Sequence, residues 1–209
     1  MEIYKRIFSS LIMLPIALFF IISGDFLFIF FMLIFLFINS YEWIQMSKKK
    51  NYLFPGLIFI LFSTYSAYLL RGDNSDDLEI FLLVILICIS TDIGGYCFGK
   101  IFKGPKLIKK ISPNKTYAGM FGGYFLSIIS VYILENYSFF IDNNFLNNFG
   151  YGEIIFVLII STVSQIGDLI ISFFKRCSKI KNTGNILPGH GGLLDRVDGM
   201  IFAVPFAYI

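Results

Sequence analysis

Along the chain, apolar runs close to twenty residues long alternate with short polar stretches that hold nearly all of the charge. The runs fall at roughly 7–23, 26–46, 52–70, 80–99, 117–134 and 153–174, and a seventh opens near Gly199. A hydrocarbon core about 30 Å thick takes about 20 helical residues to cross, so the first six runs predict spanning helices. The seventh, to Ile209, holds about eleven residues; at about 1.5 Å each they reach only half-way, which predicts a partly spanning helix. The pattern therefore predicts an all-α, polytopic integral membrane protein of about seven transmembrane or partly spanning helices. One membrane domain over 1–209 is expected, with N-terminal helices over 1–80 and the chemistry over 81–209.

Composition agrees. The chain is 56% hydrophobic and 15% charged, with 26 Phe among 209 residues, and its mean hydropathy is +0.76. Soluble domains carry about 25% charged residues, so a soluble globular domain is excluded. Lys5-Arg6 ahead of an apolar run resembles the start of a signal peptide. No small-x-small cleavage site precedes Asp25, and a second apolar run follows at once, so a retained first helix is expected. Cys88, Cys97 and Cys177 form no disulfide framework and read as reduced thiols.

The net charge of +3 is small; its distribution is the informative part. With the N-terminus in the cytoplasm and strict alternation, Lys5, Arg6, Lys48–Lys50, the six lysines between 100 and 115, and the five cations between 175 and 196 all fall inside. That is sixteen of the seventeen Lys and Arg, Arg71 being the exception, as the positive-inside rule requires. Both glycine- and lysine-rich loops then face the compartment that holds nucleotides. The cations follow membrane topology, and no nucleic-acid partner is expected.

The densest chemistry lies between Ser172 and Asp198. Lys175, Arg176, Lys179, Lys181, Arg196, Asp195, Asp198, His190 and the turn Pro188-Gly189-His190-Gly191-Gly192 sit within 27 residues. Glycines allow close backbone approach and present N–H groups. Lysine and arginine bind phosphate oxygens, and paired aspartates hold Mg²⁺ together with substrate phosphates. The stretch reads as a metal-assisted phosphate site at a membrane surface. His190 fits either a hydrogen-bonded structural residue or a phosphate ligand.

Spacing extends the site upstream. Gln165, Asp168, Ser172 and Lys175 recur at three and four and so share a helix face. A carboxylate facing lipid costs roughly 2.5–3.5 kcal/mol, so Asp168 is expected to face a polar cavity or a partner. Asp195 and Asp198 likewise share a face, with Arg196 turned aside; helix capping is the competing explanation. Asp168, Asp195 and Asp198 are the expected ligands of one or two cations. Asp92, near the end of the fourth run, heads a face with Tyr96, Gly99 and Lys103, whereas Gly94, Gly95 and Gly99 are as well explained by helix packing. Glu42 beside Trp43 reads as an interfacial pair.

The order Ser172-x-x-Lys175-Arg176, Lys181, Gly184, Leu187-Pro188-Gly189-His190-Gly191-Gly192 and Asp195-Arg196-x-Asp198 resembles the signature of the phosphatidate cytidylyltransferase family. A second stretch, Thr91-Asp92 through Tyr96 and Ser112-Pro113-Asn114-Lys115-Thr116, resembles the same family. Together the two cover about the last 120 residues; the first 80 match only in being apolar. Asn182 stands where the family usually has Asp, and Gly95, Asn114, Tyr117 and Ala118 also depart from its pattern. The resemblance implies CTP and phosphatidic acid as substrates, Mg²⁺ as cofactor, a homodimer, and a bacterial inner membrane with the site facing the cytoplasm. It implies catalytic roles for Asp168, Asp195, Asp198, Lys175 and Arg176. Substrate binding would fall to Ser172, Lys181, Gly189, His190, Gly191, Gly192, Arg196, Asp92, Ser112, Lys115 and Thr116. A CTP-dependent lipid or polyprenol kinase shares this content, and a transporter with intramembrane carboxylates is a third reading. A transporter would place its charges near the midplane, and here they gather at one face.

Overall fold

The computed structural model of the chain describes residues 2–48, 50–137, 150–186 and 191–209, with the backbone alone at 2–12 and 135–137. The apolar runs form α1 (Glu2–Ser23), α2 (Asp25–Ser47), α3 (Leu53–Arg71), α4 (Ser75–Phe102), α5 (Tyr117–Tyr137) and α6 (Tyr151–Cys177). A single turn, α7 (Leu194–Val197), and a short helix, α8 (Met200–Tyr208), follow. Among the described residues, five helices are long and apolar enough to cross a membrane, and Met13–Ser23 adds a shorter apolar stretch. Large apolar side chains such as Phe26, Phe37, Phe54 and Ile58 face outward, as a lipid-facing surface requires. The chain is a polytopic membrane protein.

Two expectations are corrected. The acidic stretch after Arg71 is not all loop: α4 starts at Ser75, and Asp76 and Asp77 occupy its first turn, where the helix dipole favours negative charge. The basic stretch after α4 is not a plain loop either. It forms an antiparallel hairpin of β1 (Lys106–Ile108) and β2 (Ser112–Thr116), a small departure from an all-α chain. These strands are too short to show alternation, and β2 contains Pro113, which suits only an unpaired sheet edge.

Arg71, the one cation expected outside, is buried. Its Nε donates to the Ile21 carbonyl at 3.1 Å and its Nη2 to the Ile22 carbonyl at 3.3 Å. It thereby satisfies carbonyls that the last turn of α1 leaves unpaired. Gly24 turns the chain beside it at φ +66, and a Cβ there would strike the guanidinium.

The glycines of α4 are indeed packing notches. A Cβ at Gly94 would collide with the Gly122 carbonyl of α5, and one at Gly119 with the Gly95 carbonyl. Hydroxyls tie the same bundle together, Thr91 to Ser161 at 2.8 Å and Ser130 to Ser90 at 2.7 Å, the interhelical pairing expected where lipid offers no partner. One apolar cluster joins α1, α2 and α4 to α5, α6 and α8 through Phe28, Val84, Ile87, Val131, Ile160 and Ala203. A second sits under the site, with Trp43, Met46, Ile60, Ile171, Leu194 and Ile201.

Candidate active site

The polar ends of α2, α4 and α6, the hairpin and residues 178–186 and 191–198 meet at one end of the bundle. Tyr52 bonds Ser178 at 2.7 Å, and Trp43 packs against Tyr52 and Phe174. Arg176 donates from Nε to the Ile111 carbonyl in the hairpin turn at 3.1 Å, which fastens the hairpin to the end of α6.

The α6 stripe forms as the spacing requires. Ser172 donates to Asp168 Oδ1 at 3.2 Å, and the other Asp168 oxygen pairs with Lys115 from β2. Lys175, buried, reaches across to Asp195 Oδ1 at 2.8 Å and Asp198 Oδ2 at 3.8 Å. Asp195 and Asp198 therefore do share a face. Asp198 reaches Asp168 because the backbones come close: a Cβ at Gly167 would press on the Asp198 carbonyl and on Phe202, and one at Gly199 on Ser164.

Asp198 is buried, and burial pushes its carboxyl well above the usual carboxylate range. The neighbouring charge of Asp168 adds to that push, Lys175 opposes it, and Asp92 and Lys115 act in opposite senses with smaller effect. The residues gathered electrostatically are thus Asp92, Asp168 and Asp198, with Lys115 and Lys175 as counter-charges. Asp92 itself is exposed, so this group borders open space.

Asp195 is set apart. Besides Lys175, it accepts the Thr183 amide at 2.8 Å and the Gly192 amide at 3.1 Å, both on Oδ2. Oδ2 thus closes the loop that precedes α7, while Oδ1 pairs with Lys175 of α6. Asp195 caps no helix amide and instead ties loop amides, whereas Asp198 accepts the amide of its neighbour Gly199 and faces Lys175 and Asp168. Among the described residues no three acidic, His or Cys side chains converge on one cation position.

The other expected residues fall as follows. The Thr116 hydroxyl accepts the Gly119 amide at 3.0 Å and so caps α5. Ser112 pairs in the hairpin opposite Ile108. Arg176, Lys181, Asn182 and Arg196 are exposed around the site. Gly191 holds φ +91, which favours glycine, and Gly192 is buried. Gly189 and His190 lie outside the described residues.

Glu42 corrects the sequence reading. It is no interfacial pair with Trp43: only 1% of it is exposed. Its carboxylate accepts the Thr183 hydroxyl and the Leu193 and Leu194 amides, each at 2.9 Å. The signal was present in the sequence, since an acidic residue inside an apolar run is costly unless partnered. Its partners, 141 to 152 residues away, could not be read from it.

The geometry can be set beside known proteins. The model of the cytidylyltransferase family matches residues 4–74 and 57–209. A phosphatidate cytidylyltransferase of Brucella suis is 38% identical over 165 residues, which are 79% of this chain and 58% of that protein. The chain thus spans 58% of the length of that relative. Phosphatidate cytidylyltransferases of Rickettsia felis and Rickettsia prowazekii are 33% and 35% identical, over 99% and 98% of this chain and 91% and 90% of theirs. With the family model covering both the N-terminal helices and the site, this chain belongs to the cytidylyltransferase family.

Proposed function

We propose that this chain transfers the cytidylyl group of CTP to phosphatidic acid, giving CDP-diacylglycerol and pyrophosphate. The observation that carries this reading is the meeting of three distant stretches, through Lys115 with Asp168 and Lys175 with Asp195 and Asp198, at one end of a membrane bundle. The names of the relatives support the choice of substrates.

An oxygen of the lipid phosphate attacks the α-phosphorus of CTP. The new P–O bond replaces the bond from that phosphorus to the oxygen bridging to the β-phosphate, and the electron pair leaves with pyrophosphate. The acceptor is ionised near neutral pH, so a strong base is not needed. The tasks are to align two polyanions and to offset charge developing on the leaving group. Lys115 and Lys175 place ammonium groups inside the site, and Arg176, Lys181 and Arg196 stand around it. The lipid reaches the site sideways from the bilayer, which accounts for its position at helix ends.

The donor chemistry suits Mg²⁺. That ion takes one or two carboxylates plus waters and substrate phosphates, in preference to an all-protein cage. Asp168 and Asp198, with Asp92 nearby, offer hard oxygens, and their mutual repulsion is what a cation would relieve. When bound, Mg²⁺ would neutralise the triphosphate and polarise the leaving group. Asp195, whose Oδ2 takes two loop amides, holds the loop. The site faces the cytoplasm of the bacterial inner membrane in this reading, in line with the sixteen inside cations.

The test is incubation of membranes with phosphatidic acid and CTP labelled at the α- or γ-phosphate. Label from the α position should enter the lipid phase, with pyrophosphate in the water. Label entering lipid only from the γ position would show a kinase instead.

A further inference from the structure

We infer that Glu42 of α2 is a positioning residue for the CTP-phosphate site: it ties Thr183 to Leu193 and Leu194 and so fixes the two ends of the loop, Thr183–Gly184 and Gly191–Leu194. The inference rests on the function proposed above for that loop. Two carboxylates close the neck of the loop. Asp195, on its own α7, takes the amides of Thr183 and Gly192. Glu42 comes from the far N-terminal part of the chain and takes the Thr183 hydroxyl on one side and the Leu193 and Leu194 amides on the other.

Thr183 is shared by both, donating its amide to Asp195 and its hydroxyl to Glu42. The two limbs of the loop are therefore clasped at one point by two negative groups. The sequence is fitted to this clasp. A Cβ on Gly192 would collide with Glu42 and Thr183, and one on Gly184 would come within 2.8 Å of the Glu42 carboxylate. Both glycines leave room for the Glu42 carboxylate. Glu42 is almost fully buried, so no solvent competes for its oxygens. Charge-assisted hydrogen bonds of this kind are roughly twice as strong as neutral ones. Trp43, next in sequence, packs on Tyr52 and Phe174.

Glutamine has the shape of glutamate but only one acceptor oxygen. Whichever way the amide turns in Glu42→Gln, at least one of the Leu193 and Leu194 amides faces an NH₂ group. Thr183→Val removes the hydroxyl from the other limb and leaves its amide on Asp195. The experiment uses the full chain in detergent, with wild type, both single variants and the double variant. It reads amide exchange at Gly191–Leu194, abundance and Tm, and kcat and KM for each substrate separately.

The expected result is exchange at Gly191–Leu194 faster by about tenfold in Glu42→Gln, and KM for CTP raised by about tenfold, since one charged hydrogen bond is lost. KM for phosphatidic acid should stay at the wild-type value, and Tm should fall by several degrees, as a charged acceptor is lost from a buried network, with abundance little changed. Losses in the double variant should fall short of the product of the single ones, because both changes open the same clasp. Unchanged exchange in Glu42→Gln overturns the inference whatever substrate is turned over. So does a lowered Tm with both KM values and kcat per folded molecule unchanged, which would make Glu42 merely structural. Faster exchange in a chain whose wild type is inert toward CTP would overturn the assigned reaction and leave the clasp standing.

Discussion

Lys115, in β2, forms an ion pair with Asp168 of α6, so a two-stranded hairpin reaches into the site otherwise built by membrane helices. Their side chains are 26% and 24% exposed, open enough for the pair to contribute about 1 kcal/mol or less to folding. The pair therefore matters for charge in the site more than for stability. Lys115→Met should lower turnover by about a hundredfold, the loss of one charged contact to a transferring phosphoryl group. Abundance should stay normal, and Lys115→Arg should keep part of the activity. Steady-state kinetics beside an immunoblot would check this; near-wild-type turnover in Lys115→Met would contradict the placement of Lys115 in the site.

Asp195→Asn separates the clasp from the cation ligands. Asparagine offers one acceptor where Lys175, Thr183 and Gly192 now converge on two oxygens. The variant should lose thermal stability by several degrees, as expected for about 1–3 kcal/mol lost from a part-buried network. The Mg²⁺ concentration giving half-maximal turnover should stay where it is in the wild type. A large shift in that concentration would make Asp195 a ligand after all.

Asn182→Asp restores the residue usual in the family. Asn182 is exposed and its side chain lies next to Gly191, as does that of Asp195. A new carboxylate there adds negative charge beside a loop that receives a triphosphate. Turnover is expected at or below the wild-type level. A marked gain in activity or in Mg²⁺ affinity would show that position 182 belongs to the ligand set.

Helix existence was legible because twenty-residue apolar runs leave the backbone few other ways to satisfy itself in lipid. The α6 stripe was legible too, since Asp168, Ser172 and Lys175 are local in sequence and follow from helical periodicity. What could not be read was non-local. Glu42 finds its partners across the whole chain, and the hairpin's contacts to Arg176 and Asp168 join residues more than fifty positions apart. Asp195 and Asp198 looked equivalent at three apart. The loop amides that take up Asp195 set them apart, and loop geometry is not periodic.

Topology is tested with single cysteines at 75, 106 and 185 in a background lacking Cys88, Cys97 and Cys177. All three positions are exposed. An impermeant maleimide applied to intact cells should label position 75 and spare 106 and 185. The reverse pattern would place the site on the face away from CTP.

The most direct measurement is turnover across a Mg²⁺ series for Asp168→Asn, Asp198→Asn and the double variant, with membrane abundance as control. Gly167 and Gly199 bring the two carboxylates together, so each single change should remove the same Mg²⁺-dependent step, with the protein at normal abundance. The double variant should then be no worse than either single one. Near-wild-type turnover in either single variant, or two modest losses that simply multiply, would contradict a shared cation at the transfer site.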